Sequence, residues 1–124
     1  MAMAMWLQDP EALCEYLVSL VPPLTPLWAA HLRQNFGSAL PDLFMGEVAE
    51  WFSEHPGASE GTSDDRRTMC RVLDEALKDG STEVRELVQV SFVENLPAIA
   101  GDWFYECFGE ALRADFERFA GKVH

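Results

Sequence analysis

The sequence predicts an all-α protein folded as a compact bundle of about six helices with antiparallel, HEAT-like hairpins. Apolar residues recur at helical spacing, proline or a capping residue precedes most of the segments, and no stretch alternates polar and apolar residues as a half-buried strand does. The 124 residues include no low-complexity linker, so we expect residues 1–124 to form a single helical domain. Four Trp and eight Phe supply enough large side chains to fill one core.

The helix boundaries follow from capping residues, prolines and glycines. Asp9 before Pro10 combines an N-cap with a proline at the first helical position, and Pro41 opens the third helix. Gly37 supplies a left-handed residue at the end of the second helix, and Asp102 caps the last one. We therefore predict helices over residues 10–20, 26–36, 41–52, 63–78, 81–96 and 102–119.

The helix over residues 81–96 is predicted to lie at the centre of the bundle. Its apolar residues cover roughly half of its circumference, and a helix of that kind is packed from several directions. Ser91 and Asn95 lie one turn apart inside this apolar arc, where an unpaired polar group costs about 1–3 kcal/mol. We predict that they are a buried structural polar pair with hydrogen-bond partners. The alternative is that they contact a ligand in a pocket of the bundle.

Negative charge is concentrated in the first half of the chain. The formal net charge is −12; residues 1–65 hold ten acids and one base, a net −9, whereas residues 66–124 hold eleven acids and eight bases, a net −3. Such a surface repels nucleic acid and anionic membranes, and it accelerates the encounter with a basic protein. We therefore expect neither nucleic acid nor membrane as a partner and favour a basic protein. Solubility alone is the alternative explanation of the charge.

The third predicted helix carries a stripe of carboxylates with no basic residue to balance them. Glu47, Glu50 and Glu54 are three and four residues apart, so they share one side of the helix. Like charges at this spacing destabilise a helix by about 0.2–0.5 kcal/mol per pair, and no Lys or Arg occurs between Asp42 and Asp65. The stripe is explained either by a partner or by simple solvation.

We predict a partner-binding face that combines this stripe with the acidic loop after it and one aromatic anchor. Trp and Tyr are enriched in interfaces, so Trp51, Trp103 and Tyr105 are the candidates for partly exposed anchors. The alternative is that these aromatics belong to the periphery of the core. The predicted face consists of Glu47, Glu50, Trp51, Glu54, Asp64 and Asp65.

No pattern in the sequence points to catalysis. The chain lacks a nucleophile elbow, a zinc-protease motif, a phosphate-binding loop, a dinucleotide fingerprint and a cysteine beside a plausible histidine. His31 has no second ligand at metal spacing, so we expect it to lie at the surface or to form a hydrogen bond. We predict that the protein is not an enzyme and has no catalytic residue, metal or cofactor.

The cysteines and the N-terminus favour a cytoplasmic protein. Cys14, Cys70 and Cys107 are widely spaced and odd in number, so neither a disulfide framework nor a zinc site is predicted, and each is expected to pack inside a helical core. The first residues lack the basic region of a secretion signal, and no stretch approaches the roughly 20 apolar residues of a membrane span.

Two segments resemble known families. The run from Asp79 to Arg85, followed by Val88 and Leu96, resembles the start of the second helix of a HEAT repeat. The run 87–96, with its Ser-Phe-x-Glu-Asn-Leu core and a Phe-Gly-x-x-Leu stretch downstream, is similar to small acidic helical bacterial immunity proteins of toxin systems. The second resemblance implies a non-enzymatic inhibitor that covers the active site of a cognate toxin, often an enzyme with a basic cleft.

Three hypotheses about function follow. The leading one is a protein-binding module with an acidic face for a basic partner, and its most specific form is an immunity protein that covers the basic active site of a toxin enzyme. The second is a structural or adaptor domain whose charge serves solubility, and one form of it is a homodimer through the aromatic last helix. The third is a small enzyme or ligand carrier that uses Ser91 and Asn95.

Overall fold

A computed structural model of the chain describes residues 4–54, 62–96 and 107–123. These residues form helices joined by turns, which confirms the all-α bundle. A 3₁₀ turn, Pro22–Leu24, leads into the third helix. The α-helices are α1 (Met5–Gln8), α2 (Pro10–Leu20), α3 (Thr25–Gln34), α4 (Pro41–Glu54), α5 (Thr62–Asp79), α6 (Thr82–Glu86) and α7 (Glu110–Val123).

The proline and capping signals place the first helices correctly. The side chain of Asp9 accepts a hydrogen bond from the backbone N–H of Ala12 at 2.9 Å, and α2 covers the predicted residues 10–20. Helix α4 begins at Pro41 as predicted and extends to Glu54. The short helix α1 is missing from the prediction, because it has no capping side chain and is only four residues long.

The helix predicted at the centre of the bundle lies there, but it is not a regular α-helix. Helix α6 continues as a π-helical turn, Leu87–Phe92, and a 3₁₀ turn, Val93–Asn95. We call residues 82–95 the central helix. It packs against α1, α2, α4, α5 and α7. Apolar spacing over a single turn does not distinguish a π-helix from an α-helix, so the sequence predicted only the helix and its burial. Its buried apolar side chains are Val84, Leu87, Val88, Phe92 and Val93.

Aromatic contacts join α4 to the rest of the core. The ring of Phe52 lies edge-on to that of Phe92, with centroids 5.6 Å apart, and 6.0 Å from the ring of Phe108. The guanidinium of Arg66, on α5, lies 3.7 Å from the centroid of the Phe52 ring and donates a hydrogen bond to the Phe52 carbonyl. These contacts fix the start of α5 against the end of α4.

The last helix begins later than predicted and is capped from a distance. Residues 107–109 are not helical, and α7 starts at Glu110 and continues to Val123, beyond the predicted end at residue 119. Asp74 of α5 caps this helix by accepting a hydrogen bond from the backbone N–H of Leu112 at 2.9 Å. A cap supplied from so far away in the chain is not visible in the local sequence. Three residues named in the predictions lie outside the described part of the chain: Asp102, Trp103 and Tyr105.

The prediction that all three cysteines are unpaired is wrong. Cys70 and Cys107 form a disulfide with a Cα–Cα distance of 5.8 Å, across 37 residues of sequence, whereas Cys14 is free and buried as expected. Cys70 lies on α5 and Cys107 lies three residues before α7, so the packing between these segments brings the pair together. The spacing of the cysteines in the sequence does not reveal this pairing. Cytoplasmic location stays a prediction. The absence of a disulfide no longer supports it, because disulfides persist mainly in oxidising compartments. None of the described helices has the length and apolar character needed to cross a membrane.

Candidate functional site

Helix α4 and the central helix lie side by side and run in the same direction. The hydroxyl of Ser91 lies 3.4 Å from Oδ1 of Asp42, near the start of α4. One turn further along both helices, Asn95 lies beside Gly46, where a Cβ atom would be 3.7 Å from Nδ2 of Asn95. Gly46 therefore leaves room for the Asn95 side chain at the surface of the seam.

Two open depressions follow one another along this seam, and together we call them the acidic groove. Their volumes are about 450 Å³ and about 430 Å³. On α4, Asp42, Gly46, Glu50 and Glu54 recur every four positions, so they form one row along the helix, and Ser53 lies beside the end of that row. The first depression is lined by Pro10, Asp42, Glu83, Glu86, Leu87, Val90 and Ser91. The second is lined by Gly46, Glu50, Ser53, Glu54, Asn95 and Leu96.

The described residues that line the acidic groove include five carboxylates and no Lys or Arg. Asp42, Glu50 and Glu54 come from α4, and Glu83 and Glu86 come from α6; all five residues are exposed. Acidic side chains along a concave surface focus a negative potential, which attracts cationic groups. The groove is therefore electrostatically suited to cationic groups.

The wall of the acidic groove also has an apolar part. The π-helical turn carries Val90, which is 56% exposed, and the buried Ser91. π-helical turns are rare and occur frequently at functional sites, because the extra residue changes where neighbouring side chains lie. The groove therefore offers exposed aliphatic surface as well as carboxylates.

Glu47 has a contact that separates it from the rest of its stripe. Its Oε2 atom is buried and lies 3.3 Å from Nδ1 of His31, a residue only 2% exposed. Nε2 of His31 accepts a hydrogen bond from the backbone N–H of Leu40 at 2.9 Å. His31 is thus buried and hydrogen-bonded. Of the two predicted roles, a surface residue or a hydrogen-bonded one, the second is confirmed. Glu47 holds α4 to α3 and does not line the acidic groove.

The structure does not bring the whole predicted face together. Trp51 is 8% exposed and packs in the core, so the expectation of an exposed anchor there is wrong. Its position on α4 faces inward, on the same side as the buried Phe52. Asp64 is exposed and lies 3.9 Å from Arg67, and Asp65 is partly buried; neither lines the acidic groove. Of the predicted face, Glu50 and Glu54 are the residues that line the groove.

The predicted burial is confirmed for Ser91 and wrong for Asn95, whereas the predicted hydrogen bond of Asn95 is present. Ser91 is 5% exposed, whereas Asn95 is exposed and its Nδ2 atom donates to the Ser91 carbonyl at 2.8 Å.

Sequence reasoning missed three acidic residues of the groove. Asp42 lies one turn before Gly46 and two turns before Glu50. The recurrence of these positions every four residues therefore could have indicated that Asp42 shares a side of α4 with Glu50. Glu83 and Glu86 had no such signal, because their contribution depends on how the central helix is placed against α4. Among the residues the structure describes, no group of three or more His, Cys, Asp or Glu is arranged to hold a metal ion.

The chain matches the model of a domain of unknown function, DUF7674, over residues 14–121. The chain belongs to the DUF7674 family. No curated protein and no solved structure matches it. The matched range begins in α2 and ends in α7, so it includes both helices that form the acidic groove. Of the residues that line the groove, only Pro10 lies outside the matched range.

Proposed function

We propose that this DUF7674 domain is a non-enzymatic protein-binding module that holds a basic segment of a partner protein in the acidic groove. The observation that carries the proposal is the lining of the groove, whose described residues combine five carboxylates with exposed aliphatic surface and include no basic residue. Charge complementarity of this kind accelerates association and selects against acidic partners.

The dimensions of the groove support a protein segment as its ligand. Twelve residues of helix separate Asp42 from Glu54, a distance of about 18 Å. A partner helix of about three turns, with Lys or Arg at one-turn spacing, has the length to meet carboxylates along the whole seam.

The more specific form of the proposal is an immunity protein. The segment 87–96, which resembles such proteins, contributes Leu87, Val90, Ser91, Asn95 and Leu96 to the lining of the acidic groove. A toxin enzyme with a basic substrate cleft presents the charge that this groove recognises. Co-expression with the products of the neighbouring reading frames tests this form: a neighbour that is toxic alone is expected to lose its toxicity when this chain is present.

The general proposal is tested by charge reversal with a matched control. The variant Glu50→Lys/Glu54→Lys places two cations in the groove, whereas Glu75→Lys/Glu117→Lys makes the same change in net charge at exposed positions that do not line it. The probe is a synthetic helix-forming peptide of about 14 residues with lysines along one side. Stopped-flow fluorescence measures its association rate from about 50 to 200 mM salt, a range over which screening of exposed charges increases.

We expect the groove variant to reduce the association rate about tenfold or more at low salt, and the control variant to change it about twofold or less. The rate for the unaltered protein should fall as salt rises. Equal rates for the two double variants would show that only net charge matters, and the groove would then not be the binding site.

A further inference from the structure

Phe36 is the most exposed large apolar residue that the structure describes. Its side chain is 99% exposed, and its φ angle of 55° lies in the left-handed region, as does that of Gly37 at 84°. Phe36 occupies the first position after the C-cap residue of α3, where glycine is the usual residue. A phenylalanine in this position is exposed to water and has a strained backbone, so no contact among the described residues explains its presence.

The turn that carries Phe36 is held by several hydrogen bonds. The N–H of Gly37 donates to the Leu32 carbonyl at 2.7 Å, which closes the end of α3. The Asn35 side chain donates to the His31 carbonyl at 2.7 Å, and the N–H of Leu40 donates to the His31 ring. Phe36 is therefore presented from a fixed turn, and a partner that contacts it loses little conformational entropy in ordering this part of the chain.

Two more exposed leucines follow Phe36 in the chain. Leu40 is 41% exposed and Leu43 is 59% exposed. Four residues separate Phe36 from Leu40, so their Cα atoms are at most about 14 Å apart. We call these three residues the apolar tip. Leu43 is adjacent in sequence to Asp42, which lines the first depression, so the tip adjoins the beginning of the acidic groove.

We infer that the apolar tip is the hydrophobic anchor of the interface for a basic protein partner, and that Phe36 packs against an apolar side chain that the partner carries beside its cationic groups. This inference rests on the proposed function, because charge identifies the partner. A second copy of the chain and an anionic membrane both bring negative charge to a tip that adjoins carboxylates, which disfavours both. Interfaces combine an apolar core with a polar rim, and the exposed apolar tip beside the carboxylates of the acidic groove offers both parts.

The test uses the full chain with the substitution Phe36→Gly. Glycine adopts the left-handed conformation without strain, so we expect the melting temperature to rise by about 3–5 °C. The control is Met5→Ser, which removes a side chain that is 70% exposed on α1. A variant that is more stable and yet binds less tightly separates a role in binding from a role in folding.

The probes are two lysine-bearing, helix-forming peptides that differ at one end, where one has two leucines and the other has two serines. Fluorescence anisotropy measures both dissociation constants with the unaltered chain and with each variant. We expect the leucine peptide to bind about fivefold to tenfold more tightly than the serine peptide. Phe36→Gly should abolish this difference and leave the affinity for the serine peptide unchanged, and Met5→Ser should leave both affinities unchanged.

The outcomes distinguish the two proposals. If both peptides bind and Phe36→Gly does not reduce the preference for leucine, the apolar tip is not an anchor, whereas the acidic groove retains its proposed role. If neither peptide binds, both proposals are wrong. If light scattering shows a dimer that Phe36→Gly converts to a monomer, the tip binds a second copy, and the assignment to a basic partner is overturned.

Discussion

The buried imidazole of His31 accepts a hydrogen bond at Nε2 from the backbone N–H of Leu40, at 2.9 Å. A neutral imidazole that accepts at Nε2 carries its proton on Nδ1, and this nitrogen lies 3.3 Å from the Glu47 carboxylate. One side chain thus joins α3, the turn that carries Phe36 and α4. Stacking on Trp28 and contact with the ring of Phe44 complete its surroundings.

Replacement of His31 by phenylalanine should therefore destabilise the protein through lost polar contacts. Phenylalanine retains the ring packing but does not provide the acceptor for the Leu40 N–H, so we expect His31→Phe to lower the free energy of unfolding by about 1–3 kcal/mol. Urea denaturation measures the change. Arg33→Ala, an exposed substitution on the same helix, is the control and should change stability by about 0.5 kcal/mol or less. Equal values for the two variants would contradict a structural role for the His31 hydrogen bonds.

Asp74 acts as the capping side chain that α7 lacks in its own sequence. Gly109 precedes the first residue of α7 and has no side chain, and a Cβ atom there would lie 2.5 Å from the Asp74 carboxylate. Asp74→Ala should therefore lower the free energy of unfolding by about 1–2 kcal/mol, and Gly109→Ala should have a similar effect by displacing the carboxylate. Denaturation of both variants is compared with that of Glu75→Ala, an exposed neighbour on α5. If Gly109→Ala is as stable as the unaltered chain, the close approach is not needed for the cap.

The predictions from sequence succeeded where the signal was local. Asp9-Pro10 and Pro41 act on their own helices, so the starts of α2 and α4 were predicted correctly. The cap from Asp74 and the Cys70–Cys107 pair depend on packing between distant segments, and no local pattern carries that information.

The candidate site shows the same limit. The carboxylates of α4 were predicted from their spacing, and Glu50 and Glu54 do line the acidic groove. Trp51 was assigned to the same face because of its residue type, although its position on α4 follows the buried side of the helix. The opposite wall of the groove was missed because its placement depends on the register between two helices, which a single sequence does not specify.

The three cysteines should react with iodoacetamide in a defined order. Burial, with smaller contributions from Glu11, Asp42, Asp9 and Glu15, raises the pKa of the Cys14 thiol from 9.0 to about 12, so almost no reactive thiolate forms at pH 8 in the folded chain. We expect no labelled cysteine in the folded protein without reductant, one in denaturant without reductant, and three in denaturant after reduction. Mass spectrometry counts the labels. Three labels before reduction would contradict the disulfide.

The raised pKa of Cys14 also predicts a loss of stability in alkaline solution. The unfolded thiol ionises near its ordinary pKa of 9.0, whereas the folded one resists ionisation up to about 12. The contribution of the neutral buried thiol is therefore complete below pH 9 and is lost as the pH rises from 9 towards 12. Cys14→Ala removes this group, so its free energy of unfolding should decrease less steeply over the same interval than that of the unaltered chain. Parallel decreases would show that Cys14 does not contribute to the alkaline sensitivity.

Gly46 gives a way to test the acidic groove by shape, without a change of charge. A Cβ at this position would meet Nδ2 of Asn95 at 3.7 Å and the Ser91 carbonyl oxygen at 4.0 Å, which are ordinary contacts, so alanine fits. Alanine is also the better helix former, and we expect Gly46→Ala to raise the free energy of unfolding by about 0.5–1 kcal/mol. Gly46→Gln extends a neutral side chain from the same position into the groove between Glu50 and Asn95.

The comparison of the two Gly46 variants separates access to the groove from the stability of α4. We expect Gly46→Gln to weaken binding of the lysine peptide about fivefold or more, mainly through faster dissociation, because the glutamine occupies space that the peptide needs. Gly46→Ala should bind the peptide within about twofold of the unaltered chain. Anisotropy titrations at one salt concentration measure both affinities, and circular dichroism verifies that both variants are folded. If the folded glutamine variant binds as tightly as the alanine variant, the peptide does not lie along the seam between α4 and the central helix, and the acidic side chains attract it to another surface.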